Sequence, residues 1–400
     1  MNIAISTGLP RSGTNLFTKA MSSNRKITWA CGPNIEVFRE FRDSVARGMG
    51  DDGVTAYAPD LSPFSDYFGS IAGARLLGAM LHSSLDVPIS QSRLSALRAR
   101  AARRPGHDAP DLLPLLEELS GVTFADLIRN EAEIIARARP KPSLSTVGIH
   151  ESWIIEALPA FLRAFRGAKA IIVFRDPRAT VASMLANARK DPTTEAPVLG
   201  YIRHFRKQFA IAAWMQRQSA FRGRVLVLRH EDLLSEPRST LAQICEFMGH
   251  DFDEKMLDTE KYWDYGRNDY WLGNSAHSDV AIGFDPGRSA QWKDSLDERV
   301  AESIGALCAV EFAALGYGEN KSQPLDFAAF GALMHPLFGA DQARWTNKYR
   351  SHEEEYALEQ ARIAAIHSIA DEKAVSEEVA PLLVAADAYS HPMTFRVGLH

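Results

Sequence analysis

The sequence predicts an α/β fold in which helices flank a parallel β-sheet, and three stretches carry that expectation. The chain opens MNIAISTGLPRSGTN, where the β-tolerant run Ile3 to Thr7 meets Gly8 and Pro10, which stop a strand. Gly13-Thr14 then opens a run whose apolar Leu16, Phe17, Ala20 and Met21 have helical spacing. Ala170 to Phe174 is a continuous apolar run with β-branched residues, as expected of a strand buried on both faces of a parallel sheet. Arg224 to Leu228 reads as another such strand.

The opening strand, loop and helix start suit an anion. Backbone N–H groups of a glycine-bearing loop converge on one point, and the helix N-terminus behind them adds partial positive charge. The loop is close to a Walker A sequence, with Gly8 and Gly13 at the right spacing, but Thr14-Asn15 stand where Lys and Ser/Thr belong. The cation, Arg11, sits inside the loop instead. A donor with a 5'-phosphate bearing one further anionic group fits this better than a nucleoside triphosphate and magnesium. A glycine-containing turn without a ligand is the bland alternative.

Composition narrows the class. The 400 residues are 46% hydrophobic, enough for one large core or a core with an appended subdomain. With 45 basic and 50 acidic residues the net charge is −5, which does not point to nucleic acid. Cys31, Cys245 and Cys308 are far apart and show no metal or disulfide spacing, so a reduced, cytoplasmic setting is the default expectation. Neither a signal-peptide pattern nor an apolar run near roughly 18 residues is present, so neither secretion nor a membrane span is predicted.

In chain order, the first helix leads to a second strand at Ile27–Ala30, and then to IEVFREF, where Ile35, Phe38 and Phe41 share a helix face. Glu36 begins that helix, where a first-turn carboxylate is favoured by the helix dipole. Residues 46–142 read as a mostly helical insertion with helical stretches at Leu112–Leu119 and Phe124–Ala138. Its basic run at Arg98, Arg100, Arg103 and Arg104 is read as a solvated helix face ending at Pro105-Gly106, with an anionic-substrate patch as the alternative. Ser145–Ile149 is a short strand followed by His150-Glu151, and a helix is expected from Trp153 to Phe165.

Arg175-Asp176-Pro177 ends the Ala170–Phe174 strand and starts a helix that carries Ser183 to about Lys190. A cation at the carboxyl end of such a strand lies where open α/β sheets bind ligands, so Arg175 is expected to face the same cleft as Arg11. An ion pair with a neighbouring carboxylate is the other reading of Arg175. Tyr201–Phe221 and Leu296–Leu315 read as amphipathic helices, and RHEDLLSEPRSTLAQICEFMG as a turn and a helix closing at Gly249. From about Asn320 an apolar stretch precedes a charged helix at Ser351–Asp371, a tail that could cap the fold, form a homodimer contact or cover a substrate.

Four separated stretches, GLPRSGTN, VFRDPRATVAS, LRHEDLLSEPRSTLAQICEFMG and GRSAQWKDSL, together resemble the sulfotransferases that use 3'-phosphoadenosine 5'-phosphosulfate (PAPS). The resemblance is to the bacterial type with a P-loop fold and covers residues 1–45 and 145–318. It implies a sulfotransferase-like domain over 1–318, interrupted by the insertion, and a C-terminal extension over 319–400.

The resemblance also implies roles. Arg11, Ser12, Gly13, Thr14 and Asn15 correspond to the 5'-phosphosulfate loop, and Arg175 with Ser183 to the 3'-phosphate motif, with Arg178 a further member. Gly287 and Arg288 resemble the stretch that closes over the nucleotide. His230 stands where many members have Tyr before Glu-Asp, which leaves adenine contact there open. Arg11 would stabilise charge on the leaving side, and no metal is required. Glu36 is placed first as general base, then His150, with Glu151 a third choice.

The acceptor would be a hydroxyl of a small molecule, lipid or sugar. Its pocket is expected in parts of 46–142 and 262–286, where Tyr57, Phe64, Tyr67, Trp263, Tyr265 and Trp271 offer flat or apolar surface, unless they are packing residues. A P-loop kinase or phosphotransferase, and a non-catalytic nucleotide-binding scaffold on the same fold, are the competing readings.

Overall fold

A sheet of five strands sets the position of everything else. The computed structural model describes residues 1–33, 35–50, 71–103, 109–190, 198–273, 282–318, 351–371, 373, 375 and 383–389. The expectations for Tyr57, Phe64, Tyr67, Arg104, Pro105-Gly106 and the apolar stretch 324–339 lie outside these residues. Strands β1 (Asn2–Gly8), β2 (Ile27–Cys31), β3 (Thr146–His150), β4 (Lys169–Phe174) and β5 (Val225–Arg229) line up as β2-β3-β1-β4-β5. All four pairings are parallel.

Side-chain alternation explains why β4 is apolar throughout. Ala170, Ile172 and Phe174 enter one core with Ile5, Val147 and Val227, while Ile171 and Val173 enter the other with Ala4, Trp29 and Leu228. Gly148 in β3 admits the indole of Trp29, since a Cβ there would lie 2.1 Å from it. Helices α1 (Thr14–Ser23) and α2 (Ile35–Gly48) follow β1 and β2.

Between β2 and β3 the chain is helical, with α3 (Ile71–His82), α4 (Gln91–Arg103) and α5 (Phe124–Ala138). Thr123 and Asp126 form a capping box that starts α5. The stretch expected as a helix at Leu112–Leu119 is a 3-10 helix at Pro110–Glu118, with Pro114 inside it, where the missing N–H prevents an α-helical ladder. The basic run is not simply a solvated face. Arg93 and Arg100 of α4 cross to Glu40 at 3.0 and 2.8 Å, and Arg100 also reaches Glu36 at 3.2 Å.

The expected helix from Trp153 is shorter than its apolar pattern. Trp153 takes a positive φ of 70°, a 3-10 turn spans Ile155–Ala157, and α6 covers only Leu158–Ala164. Helices α7 (Pro177–Lys190) and α8 (Val198–Arg217) flank β4, and α9 (His230–Ser235) and α10 (Pro237–Met248) follow β5. Gly249 closes α10 in the left-handed conformation. The stretch Leu296–Leu315 is two helices, Glu298–Leu307 and Ala309–Leu315, separated at Cys308.

The tail contributes a helix at His352–Ala370, started by a Ser351–Glu354 capping box. Glu359 of that helix accepts from Arg203 Nε at 2.8 Å and from Arg206, all three fully buried. Ala365, Ile366 and Tyr389 join the same core as β4 and α8. Among the described residues no helix is long and apolar enough to cross a membrane.

Candidate active site

The site forms where β1 and β4 end side by side. Ser12 folds the loop on itself, its hydroxyl donating to the Leu9 carbonyl at 2.6 Å and its N–H to the same oxygen at 3.1 Å. Gly13 is the N-cap of α1 with φ 83°, no side chain caps that helix, and its first turn holds no acidic residue. An anion placed there would meet the positive end of the helix dipole with no acidic side chain opposing it. Thr14 is buried beside the loop, and Asn15 Oδ1 lies 3.0 Å from Cys31 Sγ at the end of β2.

Two arginines lock the loop to β4 and α7. Arg175 Nη1 donates to the Arg11 carbonyl at 2.7 Å, and Arg11 Nε donates to Ser183 Oγ at 3.1 Å. Arg11 itself has φ 69°, a conformation disfavoured for a long side chain. Arg175 Nε is buried and has no hydrogen-bond partner among the described residues. Burial lowers the pKa of this guanidinium, and Arg11 beside it acts in the same direction. Glu231 and Asp176 offset part of this positive charge, and the buried donor left without a partner is what an anion would complete.

His230 forms the floor of the loop. A Cβ on Gly13 would lie 2.1 Å from His230 Nδ1, so glycine is required for this contact as well as for its φ. Burial and the nearby charges of Arg175 and Arg288 push the imidazole down to about 3. His230 Nδ1 is another buried atom without a hydrogen-bond partner. Arg288 is anchored by donating to the Ile282 carbonyl at 2.8 Å and lies 3.6 Å from Asp285. Glu231 ties the group together, accepting from Asp176 N–H at 2.9 Å and from the Tyr317 hydroxyl at 3.0 Å.

Arg178 borders this group through the same Asp176 and Tyr317. Its guanidinium holds both oxygens of Asp176, donates to the Tyr317 carbonyl at 2.9 Å, and stacks over Trp292 and Phe312.

The base candidates lie on the other side of β1. His150 ends β3 in register with Ser6, whose hydroxyl is 2.9 Å from Nδ1, while Nε2 is buried without a hydrogen-bond partner. Burial pushes His150 down to about 3. Glu36 lies in the first turn of α2, with Oε1 held by Arg39 at 2.8 Å and Oε2 by Arg100 at 3.2 Å. Glu151 is buried and lies close enough to Glu131 of α5 to raise that carboxyl, which burial already pushes well up.

The later aromatics are engaged in packing and ring contacts. Trp271 is buried and stacks with Tyr262 in the second core, Arg139 lies over the Tyr265 ring at 3.7 Å, and Trp263 is exposed against Tyr270. Sequence reasoning passed over Trp153, Tyr201 and His204 as a group. Trp153 meets Tyr201 and His204 edge-on at 5.2 and 4.5 Å, and Tyr201 lies within the electrostatic reach of Arg11. The available signal was the three-residue spacing of Tyr201 and His204 on one helix.

Comparison with known proteins adds a family. A family profile described as "Sulfotransferase family" matches residues 4–254. No curated protein matches the sequence. Among solved structures the chain is similar to a sulfotransferase domain from the curacin biosynthetic pathway, at 16% identity over 76% of this chain and 97% of that one, TM-score 0.43. A sulfotransferase domain from the Synechococcus PCC 7002 olefin synthase shares 17% over 76% and 94%, TM-score 0.44. Retinol dehydratase in a complex with retinol and PAP shares 16% over 76% and 79%, TM-score 0.33.

Proposed function

Because this chain belongs to the PAPS-dependent sulfotransferase family, we propose that it moves the sulfuryl group of PAPS to a hydroxyl of a small-molecule, lipid or sugar acceptor. The observation that carries the site assignment is the bridge from Arg175 through the Arg11 backbone and guanidinium to Ser183. It joins the loop suited to a 5'-phosphosulfate to the strand end suited to a 3'-phosphate. The partnerless Arg175 Nε fits an incoming anion, and the helix start at Gly13, uncapped by any side chain, favours one.

PAPS supplies the sulfuryl group and a bisphosphate leaving group. The loop amides after Ser12 and the Thr14 hydroxyl hold the 5' end, and Arg175, Ser183 and Arg288 the 3'-phosphate. The acceptor oxygen bonds to sulfur as the sulfur–oxygen bond to the 5'-phosphate breaks, and that electron pair departs with adenosine 3',5'-bisphosphate. Arg11 stays protonated and stabilises this charge.

Glu36 takes the acceptor proton, oriented from both sides by Arg39 and Arg100. Burial leaves His150 a weak base, which favours the carboxylate. The open Nε2 of His150, with Nδ1 held by Ser6, supports the second reading. No group of three or more metal-ligating side chains occurs among the described residues, and the scheme uses no metal.

Calorimetric titration with adenosine 3',5'-bisphosphate, 5'-AMP and ATP, each with and without magnesium, tests the assignment. Tight, metal-independent binding of the bisphosphate that weakens sharply for 5'-AMP is expected. Preference for ATP with magnesium would favour a phosphotransferase, and bisphosphate binding without PAPS turnover would favour a scaffold.

A further inference from the structure

Four non-glycine residues among those described have positive φ, and two of them, Arg11 and Trp153, are bulky and follow the paired strands β1 and β3. Such backbone is strained and persists where surrounding structure enforces it, typically around a functional site. Arg11 has its role in the anion loop. Trp153 lies outside that loop.

Its surroundings are aromatic. The indole lies edge-on to His204 at 4.5 Å and to Tyr201 at 5.2 Å, both from α8, and part of it stays open to solvent. His204 is buried and held neutral by burial and by Lys207 and Arg203, so it offers the indole a ring and no charge. Tyr201, in the same wall, lies near enough to Arg11 for that charge to act against the upward push of burial on its hydroxyl.

The side of the sheet matters. Arg175, Ser183, His230 and Arg288 gather at β4 and β5, beyond the loop, whereas Trp153 follows β3 on the opposite side of β1. In-line attack requires the acceptor to approach sulfur from the side away from the leaving phosphate. The β3 side is therefore where an acceptor would enter.

We propose that Trp153 is a specificity-determining residue of the acceptor site and that the acceptor is a planar aromatic alcohol packed on its indole, hydroxyl toward Arg11. The inference rests on the sulfotransferase reading above. Ring–ring packing stabilises an aromatic acceptor beyond the burial of its area. The ring contacts of Trp153 are to other aromatic side chains, which suits a flat apolar ring better than a sugar, whose hydroxyls need polar partners.

The test compares wild type, Trp153→Gly and Trp153→Phe. Glycine accepts φ 70° without strain, so Trp153→Gly removes the indole while relieving the backbone. Bisphosphate affinity is read by calorimetry, and PAPS-dependent turnover with naphthol, nitrophenol, cyclohexanol, octanol and methyl glucoside. Wild type is expected to prefer the aryl alcohols. Trp153→Gly should keep bisphosphate affinity within about twofold while raising KM for naphthol roughly tenfold or more, a loss of about 1.4 kcal/mol. Trp153→Phe should recover most of that loss. An unchanged aryl-to-alkyl preference in Trp153→Gly, or a wild type that binds the bisphosphate but turns over no aryl alcohol, overturns the proposal. A wild type that fails to bind the bisphosphate overturns the sulfotransferase reading itself.

Discussion

Arg11 Nε meets Ser183 Oγ at 3.1 Å although 172 positions separate them, so one guanidinium joins the loop after β1 to the helix after β4. Arg175 closes the link from below by binding the Arg11 carbonyl. The loop cannot change shape without disturbing the strand end. In the proposed mechanism, 3'-phosphate binding and charge stabilisation at the 5' end would therefore share one set of hydrogen bonds.

Removing Arg175 should show this sharing. Arg175→Ala deletes both the partnerless Nε and the bond to the loop. Charge-assisted hydrogen bonds are worth about 1.5–3 kcal/mol, so bisphosphate affinity should fall roughly 10- to 150-fold. Titration with 5'-AMP should show a smaller loss, and equal losses for both ligands would remove the 3'-phosphate from this site.

Gly13→Ala tests the loop floor. It forces φ 83° on a residue with a Cβ, and that Cβ would sit 2.1 Å from His230 Nδ1. The expected result is a lowered Tm and a loss of bisphosphate affinity of about tenfold or more. Adding His230→Gly relieves the clash but not the φ strain, so recovery should be partial; no recovery would show that the imidazole contact is irrelevant.

Glu36→Gln and His150→Asn separate the two bases. Loss of a general base costs about 100- to 10,000-fold in turnover. Glu36→Gln should show that loss in kcat with bisphosphate affinity retained, and His150→Asn a much smaller one. The reverse ranking would give the proton to His150 Nε2.

Acid should destabilise the fold earlier than carboxylate titration alone implies. His150 and His230 are pushed down to about 3 and His204 well down, each chiefly by burial. Above the ordinary histidine range both folded and unfolded chains hold these rings neutral. As pH falls below about 6.5 the unfolded chain takes up protons that the folded one refuses, and stability drops. Each such group contributes at most about 1.4 kcal/mol per pH unit, and the buried carboxyls Glu131, Glu156 and Glu231, raised by burial, act in the opposite direction and offset part of it. Urea unfolding from pH 7.5 to 5 should show falling stability, and a flat profile would show that the rings titrate freely.

Glu359→Gln probes the tail helix. Arg203 and Arg206 are buried against this carboxylate, and their charges outweigh burial to hold it well below the usual range. Its contribution is present above the carboxylate range of an unfolded chain, near pH 4.3, and is lost as pH falls below it. Breaking a buried pair costs about 3–5 kcal/mol, so the midpoint of urea unfolding at neutral pH should fall clearly. An unchanged midpoint would mean that the tail contributes nothing to the core.

Local chemistry was legible in the sequence. The apolar run of β4, the Gly13 helix start and the Arg-Asp-Pro turn each depend on neighbours a few residues away, so spacing alone identified the strand, the loop and Arg175 at its end. Agreement of four such stretches was enough to point to the family. What depends on contacts between distant segments could not be read in that way. The strand order decided that Arg11 meets Ser183 and that His230 lies beneath Gly13. Cross-element pairing turned the Arg93–Arg100 face toward Glu36 and Glu40. The strained turn at Trp153 lies in a stretch whose local pattern favours helix, and packing against Tyr201 and His204 prevailed. Local propensities differ by less than about 1 kcal/mol per residue, whereas burying a ring or pairing a buried charge is worth several, so tertiary structure decides wherever the two disagree.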